Sequence, residues 1–235
     1  MRQCYTAYIP NECIEVNDLA RNKYPEQTVE KILSVSLRLF LEKGYEHTTV
    51  QDIVDHLDGL SKGAIYHHFK GKEEIFEAVL DQLFTGREAR MSAVMHDKTL
   101  NGCEKLHRMI LDSLGDPAQD QLFLIAPNMS ANARFLGLQI LQVQEIARDY
   151  VEPIIREGIA DGSIQTDHPR ELAEMFLLIA NFWLNPLIFP MAPEQMEEKC
   201  RFYRQNLAAY GLETLMDEEA VAHLRRYCEL SAKNR

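Results

Sequence analysis

The sequence predicts an all-α protein in two parts, a small N-terminal three-helix unit and a larger helical remainder. Three observations predict it. Apolar residues recur at three- and four-residue spacing along most of the chain from Val29 onward, the pattern of helices with one buried face. No run alternates apolar and polar residues for long enough to suggest a strand. Two short amphipathic stretches, one ending at Leu57 and one starting at Lys62, are joined by a tight Asp58-Gly59 turn.

The chain divides into residues 1–24, 25–72 and 73–235. The first segment shows no sustained periodicity and is expected to be irregular or mobile, with a basic Arg21-Asn22-Lys23 cluster at its end. A first helix is predicted from Pro25 to Lys43, with Val29, Ile32, Leu33, Leu37, Phe40 and Leu41 as its stripe and Gly44 at the C-terminal cap. Thr49 followed by Asp52 is a capping-box pattern. It starts a second helix carrying Val50, Ile53, Val54 and Leu57 on one face. Gly59 can take a positive φ without strain, and Ser61 is placed to cap a third helix. A fourth helix is predicted from Glu73 to about Met95, with Glu73 and Glu74 at the positive end of its dipole. Further helices are expected near 101–114, 118–130, 132–160, 169–185, 194–210 and 217–231. Pro127 and Pro153 should break or kink the second and third of these. Met196, Cys200, Tyr203 and Leu207 follow four- and three-residue spacing, a coiled-coil-like seam.

In the third helix Ile65 and Phe69 face inward, which leaves Lys62, Tyr66 and Lys70 outward with Gly63 and His67 beside them. No acid occurs from Leu60 to Lys72. A basic, aromatic helix face after a glycine turn describes a helix-turn-helix whose second helix enters the major groove of DNA. The same stretch resembles the DNA-binding region of the tetracycline-repressor (TetR) family of transcriptional regulators. Phe40, Gly44, Thr48-Thr49-Val50, Ile53, Ser61-Lys62-Gly63, Tyr66 through Phe69, and Lys72 before Glu73-Glu74-Ile75-Phe76 carry the resemblance, in order and at spacing. It implies that Tyr66, His67 and Lys72 contact phosphates with Thr49 and Ser61 assisting, and that Lys62, Gly63 and Ala64 lie nearest the base edges. It also implies that the C-terminal helices form an effector pocket and a dimer interface.

The net charge of −11 argues at first against a nucleic-acid partner. The local cluster of Lys62, Lys70 and Lys72 outweighs it, because the phosphates meet the local field. Five scattered cysteines without a Cys-x-x-Cys pair indicate reduced thiols and a cytoplasmic protein. The N-terminus shows no leader pattern. The uncharged run Met175 to Pro193 is broken by Pro186 and Pro190 and reads as core or subunit interface rather than a membrane span. Gly59-Leu60-Ser61-Lys62-Gly63 matches a hydrolase nucleophile elbow in letters, but a helix precedes it where that elbow needs a strand. No cluster of His, Cys or carboxylates has metal-ligand spacing, so neither metal nor cofactor is expected.

His107, Phe123, Met129, Phe135, Asn181 and Trp183 are candidates for an effector pocket. Phe182, Met196, Cys200, Tyr203 and Leu207 are candidates for the contact between subunits. The expected function is a homodimeric repressor released from an inverted-repeat operator by a small hydrophobic effector. The alternative is a DNA-binding scaffold without effector sensing.

Overall fold

The computed structural model describes residues 25–57, 59–125 and 133–232. Among them there is no β-strand, so the strand required by a nucleophile elbow is missing. Twelve α-helices follow one another in that described part. The N-terminal unit is α1 (Pro25–Lys43), α2 (Val50–Asp55) and α3 (Lys62–His68). Its core is Ile32, Leu39, Phe40, Ile53 and Ile65, all without exposed surface, and each such side chain contributes about 1.5–3 kcal/mol by leaving water. Leu39 replaces the expected Leu41, which lies exposed. Gly44 ends α1 at φ 79°, its N–H donating to the Phe40 carbonyl at 2.9 Å. Phe40, Tyr45 and Phe76 then close the unit as an aromatic trio, with ring centroids 4.6–5.6 Å apart.

The helix predicted from Glu73 to about Met95 is two helices, α4 (Lys72–Leu83) and α5 (Arg87–His96). Gly86 breaks it at φ 81°. Only glycine adopts that conformation at little cost, and the Thr85 hydroxyl donates back to the Asp81 carbonyl just before the break. α4 packs on α1 and stays with the N-terminal unit, whereas α5 lies beside α6.

α6 (Gly102–Leu114) begins with an Asn101–Glu104 capping box and crosses α9 (Glu152–Asp161) at two glycines. A Cβ on Gly102 would lie 2.3 Å from Gly158 Cα, so the two backbones touch there. Beside the crossing, Lys105 is 0% exposed and its ammonium donates to both Glu157 oxygens at 2.7 Å. α7 (Pro117–Ile125) packs on α12 (Glu218–Ala232). α8 (Ala133–Ile146) runs into α9 through a π turn over Ala147–Val151. That turn is how the helix accepts Pro153, which has no N–H to donate and crowds the carbonyl one turn earlier. Pro127, the other expected break, lies outside the described residues. α10 (Pro169–Leu178) ends in a second π turn, Ile179–Trp183, before Asn185-Pro186. α11 (Pro193–Leu207) then turns at Gly211 into α12.

The seam of α11 is not a subunit contact. Met196, Cys200, Tyr203 and Leu207 are all buried within the chain, because α12 and the segment before it cover that face. Phe182 is half-buried and packs against the same core. The large apolar groups exposed from α10 through α11 are Leu178, Phe189 in the connecting segment and Phe202, the last 59% exposed. Trp183 stands edge-on to Phe202 at 6.0 Å, and the Lys199 ammonium sits over the Trp183 and Phe189 rings at 4.6 and 5.0 Å. No helix among the described residues is long and apolar enough to cross a membrane. They hold no group of three His, Cys, Asp or Glu that could bind a metal.

Candidate nucleic-acid interface

The interface is built from its caps outward. Thr49 Oγ1 accepts the Asp52 N–H at 3.0 Å, and Asp52 Oδ2 accepts the Thr49 N–H at 2.8 Å and its hydroxyl at 2.6 Å. Lys43 at the end of α1 donates to the other Asp52 oxygen at 2.8 Å. These bonds, the Lys43 contact foremost, hold the Asp52 carboxyl well below the usual carboxylate range. α2 is thereby fixed to α1 at its start. At its other end Leu57 turns the chain back, its N–H donating to the Val54 carbonyl at 3.0 Å, and Gly59 takes φ 78°.

Ser61 caps α3 by accepting the Ala64 N–H at 3.3 Å. With Ile65 and Phe69 buried below, Lys62, Gly63, Tyr66, His67 and Lys70 stand exposed and Ala64 is half-buried. Tyr66 is 48% exposed, a large aromatic ring turned to solvent. Gly63 is informative. A Cβ there would meet only Ser61 Oγ, at 3.7 Å, so nothing inside the subunit requires a glycine. A glycine within a helix costs about 0.5–1 kcal/mol against alanine, and a surface that must admit another backbone closely is a reason to keep one.

Lys72 is half-buried at the start of α4. Its ammonium donates to the Tyr45 carbonyl at 2.9 Å and the Glu46 carbonyl at 3.4 Å, and lies 4.3 Å from the Tyr45 ring. It clamps the loop between α1 and α2 to the start of α4. Burial and the neighbouring glutamates, Glu73 first among them, push the Tyr45 hydroxyl up to about 12. Tyr45 also carries a link to the larger part of the chain, since its N–H donates to the carbonyl of Ile125, at the end of α7, at 3.2 Å. Neither the Lys43–Asp52 pair nor this backbone link was expected from the sequence, since each joins positions with no shared periodicity.

The four described candidates for the effector pocket, His107, Phe123, Asn181 and Trp183, each have a different set of partners. Phe123 is buried and stacked on Tyr227 at 4.3 Å, filling the space between α7 and α12. His107 pairs with Asp217 at 2.8 Å. Asn181 spends its amide on the Leu177 carbonyl of its own helix, at 3.0 Å. Trp183 belongs to the surface cluster with Lys199. Met129 and the side chain of Phe135 lie outside the described residues.

Comparison with known proteins agrees with the helix-turn-helix geometry. The family model for bacterial regulatory proteins of the tetR family matches residues 32–79, the segment from mid-α1 to α4. The HTH-type transcriptional repressor KstR2 of Rhodococcus jostii is 32% identical over 168 residues, 66% of this chain and 79% of that protein. The HTH-type transcriptional repressor AcnR of Corynebacterium glutamicum is 28% identical over 162 residues, 68% of this chain and 80% of that protein. A TetR/AcrR-family regulator of Thermobifida fusca has a similar fold, with TM-score 0.57 at 19% identity, covering 82% of this chain and 98% of that one. A transcriptional regulator of Cytophaga hutchinsonii gives TM-score 0.56 at 17% identity, covering 89% and 97%. The capped α2, the glycine turn and the exposed α3 lie within the matched segment, the chain is a DNA-binding transcriptional repressor rather than an enzyme, and it belongs to the TetR family.

Proposed function

We propose that the repressor acts as a homodimer that sets two copies of α3 into successive major grooves of an inverted-repeat operator and leaves it when a small molecule binds the larger helical part. The observation that carries the DNA half is the exposed α3 face, where Lys62, Tyr66, His67 and Lys70 surround a glycine that the fold does not need. Lys62, Gly63 and Ala64 sit at the N-terminal end of that helix, which a recognition helix turns toward base edges. Tyr66, His67 and the caps Thr49 and Ser61 are left to the phosphates. Lys72 acts chiefly by clamping the loop after α1.

The homodimer is supported by the aromatic cluster of Trp183, Phe189 and Phe202, which lies on α11 and on the segment between α10 and α11. Phe189 and Phe202 are exposed beside the half-buried Trp183, and large apolar rings exposed on a folded chain mark a contact surface. The effector half is supported by two connections between the units among the described residues, the Gly86 break and the Tyr45–Ile125 backbone bond. Each can be altered from the larger part without touching α3. Selection from a random DNA pool, followed by a salt titration of the winning site, tests the reading. It should yield an inverted repeat with half-sites about one helical turn apart or somewhat more, with affinity falling steeply as salt rises. A pool that yields no preferred sequence, or binding indifferent to salt, would refute it.

A further inference from the structure

An open cleft of about 670 Å³ lies between α5, α6 and the start of α7. Its walls combine the apolar Ala93, Val94, Leu100 and Pro117 with two guanidiniums, Arg90 and Arg108, and three carboxylates, Asp97, Asp112 and Asp116. No residue expected from the sequence to line a pocket is among them.

The charges differ in how firmly they are held. Asp116 is 17% exposed, and its Oδ1 accepts the Ala118 N–H at 2.9 Å, which fixes it at the head of α7. Asp97 accepts the Thr99 N–H at 2.8 Å and the Thr99 hydroxyl at 2.6 Å, bonds that keep it ionised. The guanidiniums are the mobile partners. Arg90 is 48% exposed and reaches across the cleft to Asp116 at 2.5 Å, and Arg108, more exposed still, pairs with Asp112 within its own helix. Arg87 is near Asp116 but lies over the Phe84 ring and does not line the cleft. A ligand entering the cleft can send the arginines to solvent at small cost, whereas the aspartates at 97 and 116 stay where the backbone holds them. Among the residues lining the cleft, the charges held by the backbone are carboxylates, and these set the preference.

The cleft also borders these two connections to the N-terminal unit. α5 follows α4 across the Gly86 break, and α7, whose first turn lines the cleft, ends at the Ile125 carbonyl bonded to Tyr45. The Arg90–Asp116 pair straps the one to the other.

We propose that this cleft binds a small organic cation, a protonated amine or guanidine on an apolar body, which displaces Arg90 from Asp116 and so frees α5 from α7. This rests on the reading of the chain as an effector-controlled repressor. The ligand gains the fixed carboxylates and the apolar wall of Val94, Leu100 and Pro117, and loses only a partly exposed ion pair. It shifts operator affinity by as much as it prefers the unstrapped arrangement.

The test uses the full chain with hexylamine, and with hexanoate and hexanol as probes of the same body. Binding is read by calorimetry and operator affinity by fluorescence anisotropy. Hexylamine should bind saturably and weaken operator binding, and hexanoate and hexanol should do neither. Asp116→Asn keeps a capping oxygen for α7 and should weaken hexylamine binding about tenfold, as loss of one charge-assisted contact does. Arg90→Ala removes the competitor and should tighten it. Failure of hexylamine to bind, equal binding of hexanoate or hexanol, or hexylamine binding unchanged by both variants would overturn the cation site. Hexylamine that binds without changing operator affinity would overturn its role as effector. In each of these cases operator binding itself persists, whereas absence of operator binding would mean that the repressor reading has failed.

Discussion

Replacing Gly63 by alanine separates what the fold needs from what DNA needs. Gly63 is the second residue of α3, and its φ is not in the left-handed region. The new methyl would lie 3.7 Å from Ser61 Oγ, an ordinary contact, and otherwise face open space. Alanine is the better helix former by about 0.5–1 kcal/mol. For a chain of this length that raises Tm by roughly 1–4 °C. On DNA the same methyl occupies the space in which α3 approaches a base edge. Overpacking a close contact costs about 1–3 kcal/mol, which weakens operator binding roughly 5- to 150-fold. Scanning calorimetry measures the first effect, and fluorescence anisotropy on a labelled operator the second. A variant with raised Tm and unchanged operator Kd would refute the assignment of this face. A variant with lowered Tm would refute the claim that the fold has room there.

Phe202→Glu places a charge in the exposed cluster on α11 and should give monomers with weak operator binding by light scattering, whereas Leu207→Glu should unfold the chain because Leu207 is buried within it. Gly102→Ala drives a methyl into the Gly158 backbone and should cost about 1–3 kcal/mol or more in denaturant unfolding; a cost near zero would mean that α6 and α9 separate easily. The Asp52 carboxyl is held below its ordinary range in the folded chain, so its contribution is present above the unfolded value of about 4 and is lost as pH falls through the folded one. Asp52→Asn should therefore reduce the acid sensitivity of the N-terminal unit, measured as the change in melting temperature between neutral and acid buffers. Lys62→Ala should alter preference among operator sequences, whereas Lys70→Ala should weaken all of them about equally; identical selection profiles would remove the distinction.

The N-terminal unit was legible because its determinants are local. A capping box at Thr49–Asp52, a glycine able to take positive φ at Gly59 and a serine cap at Ser61 each act within a few residues, and sequence reports such short-range chemistry well. Periodicity was less informative wherever it required a partner. The spacing of Met196, Cys200, Tyr203 and Leu207 correctly announced an apolar face on α11, but the spacing cannot say whether a second chain or α12 covers it. The Gly86 break was hidden because apolar residues continue on both sides of it. Phe123 looked like a cavity wall because aromatic side chains line pockets and fill cores alike, and its stack on Tyr227 joins residues far apart in the chain. The Arg90–Asp116 strap and its cleft had no local signature at all.

The bond from the Tyr45 N–H to the Ile125 carbonyl joins main chain to main chain. Every residue except proline supplies the donor at position 45, and any residue supplies the acceptor at position 125. An exchange at either end that still fits the aromatic trio at 45 and the buried site at 125 therefore leaves this connection uncut. The walls of the neighbouring cleft can drift toward new ligands while the joint that would report their arrival stays in place, so a lineage could change what it senses faster than how it responds.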